Sequence, residues 1–177
     1  MIKAIVALDA NNLIGAGGKI IWQLSEDMAH FKAKTMGNIC IMGRVTWESI
    51  PIKFRPLSGR KTIVVTSNAG YEVPDDVLVA PNLEQALALC QNETLVGEFF
   101  GKDIYVCGGA SLYEAAMPLV EEIEVTEIAK SFPTEGMREL RYFPEIDPVI
   151  WYPADFESHK TPDGLIFDFI TYTKRQD

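Results

Sequence analysis

Apolar and polar positions fall into short blocks along the chain. Seven runs rich in β-branched residues, at 2–8, 39–42, 62–66, 77–80, 104–107, 123–128 and 166–173, are bounded by polar or turn-forming residues. Several are nearly continuous apolar stretches, the pattern of central strands covered on both faces. Between them lie helix-like segments at 25–35, with Ser25 as its N-cap, at 45–50, at 83–90 after Asn82, and at 111–117. This alternation predicts an α/β fold with a mainly parallel sheet and helices on its faces. The last run alternates and follows Pro162-Asp163-Gly164, which predicts an antiparallel hairpin finishing the sheet.

At 177 residues, 47% of them hydrophobic, the chain has enough apolar material for one well-buried core. No repeat or Ser/Gly linker divides it, so residues 1–177 are expected to form one domain. The first apolar run breaks at Asp9, too soon for a membrane span, and lacks the basic start and cleavage site of a signal peptide. A cytoplasmic protein is expected. Cys40, Cys90 and Cys107 cannot all pair within one chain and none sits in a CxxC, so they are read as buried thiols rather than a disulfide framework or metal site. The two histidines lack metal-ligand spacing, His30 is read as a solvated helix residue, and no metal is expected. A net charge of −9 opposes broad attraction to nucleic acid or anionic membrane, so an acidic ligand must be caught by local cations.

Two strand-to-helix junctions carry candidate chemistry. Met42-Gly43-Arg44-Val45-Thr46 pairs a glycine with a cation at the start of a helix, and Cys107-Gly108-Gly109-Ala110-Ser111 repeats the arrangement with two glycines. Taken alone, the first also reads as a plain turn with a solvated arginine, and the second more readily as a plain tight turn. Two in one α/β chain suggest a dinucleotide crevice beyond the C-terminal ends of the strands, although GxGxxG is absent. Gly15-Ala16-Gly17-Gly18-Lys19 lacks the first glycine and the final Ser/Thr of a phosphate loop and is read as a mobile loop. Asp27 shares a helix face with Phe31, and an acid among apolar side chains is costly unless a partner uses it. An exposed first-turn acid is the competing reading.

Ala7, Ile14-Gly15, Trp22 followed by Asp27 and Phe31, Met42-Gly43-Arg44-x-Thr46-Trp47-Glu48-Ser49-Ile50, Leu57-x-Gly59-Arg60, and Gly108-Gly109 before Tyr113 occur in an order and spacing that resemble bacterial dihydrofolate reductases. The resemblance covers nearly the whole chain. It implies a central eight-stranded, mostly parallel sheet flanked by helices with a C-terminal antiparallel hairpin; Trp151-Tyr152 marks a strand beyond the seven. It also implies an enzyme that uses NADPH to reduce dihydrofolate to tetrahydrofolate in support of one-carbon and thymidylate metabolism, and that binds antifolate-type small molecules; a monomer is expected because no long apolar helix in the sequence demands a partner.

By this similarity, Asp27 orients the pterin and promotes protonation at N5, joined by Trp22 and Thr126 through hydrogen bonds or water. Ala7, Met28, Phe31, Ile50 and Leu57 would line the pterin and aminobenzoyl pocket, and Arg60 would clamp the glutamate α-carboxylate. Lys32, Arg55, Cys107 and Tyr113 join them as substrate-side positions. On the cofactor side stand Gly43, Arg44, Thr46, Thr66 and Ser67. Ala7, Cys107, Gly108, Gly109, Ala110, Ser111 and Leu112 join them, with Ile14 and Gly15 against the nicotinamide. Arg44 near the adenosine 2′-phosphate would favour NADPH over NADH.

The chain departs from the family pattern in places. Ile21 stands where proline usually precedes the tryptophan, and Val45 replaces a frequently basic residue. Leu140 stands where an aspartate commonly accepts hydrogen bonds from the active-site loop, and insertions at 51–54 and 132–139 are expected to reshape the pocket rim. Two other readings stay open. A related NADPH-dependent reductase of a ribosylated pyrimidine shares the fold, although Asp27 with Arg60 favours folate. A ligand-binding module that keeps the pocket without turnover is the other.

Overall fold

The computed structural model describes residues 1–175. Its strands are β1 (Ile2–Leu8), β2 (Leu13–Ala16), β3 (Ile39–Gly43), β4 (Lys61–Val65), β5 (Leu78–Ala80), β6 (Ile104–Val106), β7 (Glu122–Ile128), β8 (Leu140–Tyr142), β9 (Trp151–Lys160) and β10 (Ile166–Lys174). The helices are α1 (Ser25–Thr35), α2 (Arg44–Ser49), α3 (Leu83–Cys90), α4 (Glu93–Val96) and α5 (Ala110–Ala116). Eight strands form one sheet in the order β5-β4-β3-β6-β1-β7-β10-β9, and β2 pairs with β8 in a small separate sheet. From β5 to β7 the neighbours run parallel. β10 is antiparallel to both β7 and β9, and Gly164 at φ +94° completes the turn between the last two strands.

Burial explains the sequence pattern. In β3 the four residues from Ile39 to Met42 are all buried, so no polar position interrupts the run. Residues of β1, β6 and β7 on one face join α3 and α5 in the main core, through Ala4, Val6, Val106, Ile123, Ala86 and Ala116 among others. Cys40, Met42, Trp47, Val64 and Val77 form a second cluster on the far side of β3 and β4.

Several local expectations are corrected. Ser25 is the first helical residue of α1; its hydroxyl meets Glu26, and the cap position belongs to Leu24, whose side chain makes no capping bond. Leu24 is held instead by burial against Trp22, Ile128 and Phe167. Asn82 does cap α3, accepting from the Gln85 N–H at 2.9 Å. The glycine-rich stretch read as a loop is the end of β2 and a tight turn: a Cβ on Gly15 would lie 2.5 Å from the Lys19 carbonyl oxygen. The Gly17 N–H reaches the carbonyls of Arg138 (3.1 Å) and Glu139 (3.3 Å), and Ala16 pairs with Leu140, so main-chain atoms moor this turn to β8. Asp9 ties the same region together, accepting from the N–H groups of Asn11, Leu13 and Phe132.

Candidate active site

The chain crosses over between the β3 side and the β1 side of the sheet, the place where sheets of this kind bind ligands beyond their strand ends. A cavity of about 670 Å³ lies in it. Ile5, Val6 and Ala7 of β1, Met42 of β3 and Cys107 just after β6 form its floor. α1 supplies Asp27, Met28, Phe31 and Lys32 on one wall; Ile50, Leu57 and Arg60 stand on the other. The segment after Pro51 forms a one-turn helix, Ile52–Phe54, which places Lys53 and Phe54 among the lining residues.

Asp27 is the one acid among the residues that line this mainly apolar chamber. Thr126 Oγ1 on β7 donates to its Oδ1 at 2.6 Å. Burial raises the Asp27 carboxyl above the ordinary carboxylate range, and the Thr126 hydrogen bond partly offsets that by favouring the anion. Trp22 is buried nearby against Phe132, with ring centroids 5.2 Å apart, and its indole N–H meets no protein acceptor among the described residues. It does not line the cavity itself.

At the outer end, Arg60 is pre-aimed. Its Nε donates to the Ser58 carbonyl at 3.0 Å and an Nη1 donor reaches Thr35 Oγ1 at 3.2 Å. Thr35, fully buried at the end of α1, in turn donates to the Phe31 carbonyl at 2.7 Å. These two bonds hold the planar guanidinium while Nη2 keeps its donors for a carboxylate. Sequence reasoning missed Thr35, because a threonine near a helix end has no pattern that marks it as a brace. Arg55 is not brought to the cavity: its guanidinium lies over the Trp47 ring, 5.4 Å from the centroid. Tyr113 does reach it, with its hydroxyl donating to the Ile5 carbonyl at 2.7 Å.

Beside the cavity, three glycines bring two strand ends together as bare backbone. Gly43 donates its N–H to the Gly108 carbonyl at 2.8 Å, and Gly108 holds φ +112°. A Cβ on Gly108 would lie 3.3 Å from Tyr113 Oη and 3.4 Å from Thr46 Oγ1, and one on Gly43 3.6 Å from the Gly108 oxygen. Such a cradle, with Arg44 at its edge and Thr46 shared with the substrate cavity, fits a dinucleotide whose reactive end enters beside the acid. Thr66 and Ser67 follow β4 next to it, and Ala110, Ser111 and Leu112 open α5. Gly15 lies on β2, and Ile14 packs onto the main core.

His30 differs from expectation. It is half-buried with its ring stacked on Phe169 at 3.8 Å between centroids, and desolvation lowers its pKa. The three cysteines are free thiols, with Cys107 on the cavity floor rather than in the core.

The dihydrofolate reductase family model matches residues 1–174. The dihydrofolate reductase of Neisseria gonorrhoeae is 39% identical over 170 residues, 95% of each chain. That of Mycobacterium tuberculosis H37Rv is 37% identical over 172 residues, 97% of each. A solved structure of dihydrofolate reductase from Enterococcus faecalis, complexed with NADP(H) and RAB-propyl, superposes with a TM-score of 0.82 at 30% identity. That match covers 99% of this chain and 97% of the other.

Proposed function

The chain belongs to the dihydrofolate reductase family, and from that premise we propose which of its residues carry out the reduction of dihydrofolate to tetrahydrofolate. NADPH, when bound, supplies the hydride that reaches pterin C6. Asp27 accepts hydrogen bonds from the 2-amino group and N3 of the pterin, holding the ring so that N5 can be protonated through water. The observation that carries this reading is an acid with a raised pKa, hydrogen-bonded to Thr126, inside the apolar cavity that adjoins the glycine cradle. The orphaned Trp22 N–H suits a water held between it and the carboxylate.

Phe31, Ile50 and Leu57 exclude solvent from the pterin and aminobenzoyl rings, and Arg60 takes the glutamate α-carboxylate. A local cation thus captures an acidic substrate on a protein of net charge −9. Gly43, Thr46, Gly108 and Gly109 receive the cofactor backbone, and Arg44 faces the 2′-phosphate. Ligands of antifolate type occupy the same chamber. We read the chain as a single-domain, cytoplasmic monomer; elution of the purified protein as a dimer would count against the last point.

The test is the fall in NADPH near-ultraviolet absorbance on adding dihydrofolate, with wild type beside Asp27→Asn. Wild type oxidises NADPH only with both substrates present. Asp27→Asn keeps its fold but loses about a hundred-fold or more in rate at neutral pH, with partial recovery in acid where more dihydrofolate is already protonated. A wild-type neutral rate in that variant would remove Asp27 from the role.

A further inference from the structure

A chain of polar contacts crosses the cradle's outer edge. Arg44 Nη1 donates to Glu48 Oε2 at 2.9 Å, one helical turn along α2. Tyr71, in the segment after β4, donates its hydroxyl to the other oxygen, Glu48 Oε1, also at 2.9 Å. The Tyr71 ring is half-buried against the cluster of Cys40, Met42, Trp47, Val64 and Val77, and its N–H bonds the Asn68 carbonyl at 3.1 Å. The hydroxyl is therefore delivered from a packed ring on a fixed turn, whereas Arg44 and Glu48 are both exposed on a short helix.

An arginine and a carboxylate left to themselves favour the two-point fork, in which parallel N–H groups meet both oxygens. Here Tyr71 has one of the oxygens. Among the described residues, Nη1 is the one guanidinium nitrogen of Arg44 that is hydrogen-bonded, so its remaining donors stay open. We propose that Tyr71 is a positioning residue for cofactor selection: by holding one oxygen of the Glu48 carboxylate it disfavours closure of Arg44 onto Glu48 and keeps the guanidinium available to the 2′-phosphate. The inference rests on the placement of Arg44 given under Proposed function. Glu48 then steers Arg44 by a single contact, and Tyr71 competes for the oxygen on which a second, sequestering contact would form.

The experiment measures dissociation constants of NADP+ and NAD+ by quenching of tryptophan fluorescence, without turnover. The variants are Tyr71→Phe, Tyr71→Phe with Glu48→Ala, and Arg44→Ala. Tyr71→Phe is expected to weaken NADP+ about five-fold, the scale of one exposed charged contact, while NAD+ hardly moves. Adding Glu48→Ala restores NADP+ binding, since no carboxylate remains to close on. Equal weakening of both nucleotides, no weakening of either, or failure of the second substitution to rescue would overturn the proposal; if Arg44→Ala still abolishes the preference for NADP+, the reading of Arg44 survives. A preference untouched by Arg44→Ala would overturn both.

Discussion

Thr126 on β7 and Asp27 on α1, 99 positions apart in the chain, meet through a 2.6 Å hydrogen bond at the wall of the cavity. The bond joins the helix to the sheet at the one acid in the chamber. It also opposes burial in setting that acid's affinity for a proton.

Removing the hydroxyl therefore has a definite sign. In Thr126→Val the hydrogen bond that favours the anion is gone and desolvation remains, so Asp27 should titrate at higher pH than in wild type. Carbon-detected nuclear magnetic resonance of the labelled carboxyl in the ligand-free protein follows this directly, and a midpoint unmoved or shifted down would contradict it.

The same burial has a consequence for stability. A carboxyl whose folded pKa is raised binds its proton more tightly in the native state than in the unfolded one. Stability is then lost as pH rises from the ordinary carboxylate range through the raised value. Asp27→Asn, which cannot ionise, should melt above wild type at pH 8, and the gap should close as the pH falls toward 4. Thermal melts of the two proteins across that range provide the check.

Arg60→Ala should raise KM for dihydrofolate by about ten- to a hundred-fold, the worth of a hydrogen-bonded charge contact, and leave kcat much less affected. A dihydropterin lacking the glutamate should show no such loss. Equal loss on both substrates would mean that Arg60 acts by bracing Thr35 and Ser58 rather than by gripping a carboxylate.

Gly108→Ala combines a φ of +112° with a Cβ pressed between Tyr113 and Thr46. It should cost about 1–3 kcal/mol of stability and weaken NADPH binding together. Denaturant midpoints and nucleotide titrations report the two effects separately, and loss of neither would show that the cradle tolerates a side chain.

Where burial on both faces dictates an unbroken apolar run, as in β3, the sequence pattern and the structure agree to within a residue. α1 and α3 begin and end where their patterns do. β9 escaped, apart from Trp151-Tyr152, because Pro153, Asp155 and Glu157 interrupt it. An edge strand paired on one side only, and mostly exposed, can carry such residues. Four-residue β2 was hidden by Gly15 within it and the two glycines just after it, and three-residue β8 is too short for periodicity. Family resemblance, not pattern, brought Asp27, Thr126 and Arg60 into one list. The braces around them, Thr35 behind Arg60 and Tyr71 behind Glu48, depend on contacts between distant segments that leave no local trace.

The turn that carries Gly17 is tied to the 138–139 segment through carbonyl oxygens. Such a mooring is indifferent to the identity of the side chain at 140, which explains how Leu140 can stand there without setting the turn adrift. It has no ionisable member, so neither acid nor salt acts on it directly. Sequence drift in the β8 segment is thereby decoupled from the position of the turn, and the residue able to break the tie is one that deprives position 17 of its N–H.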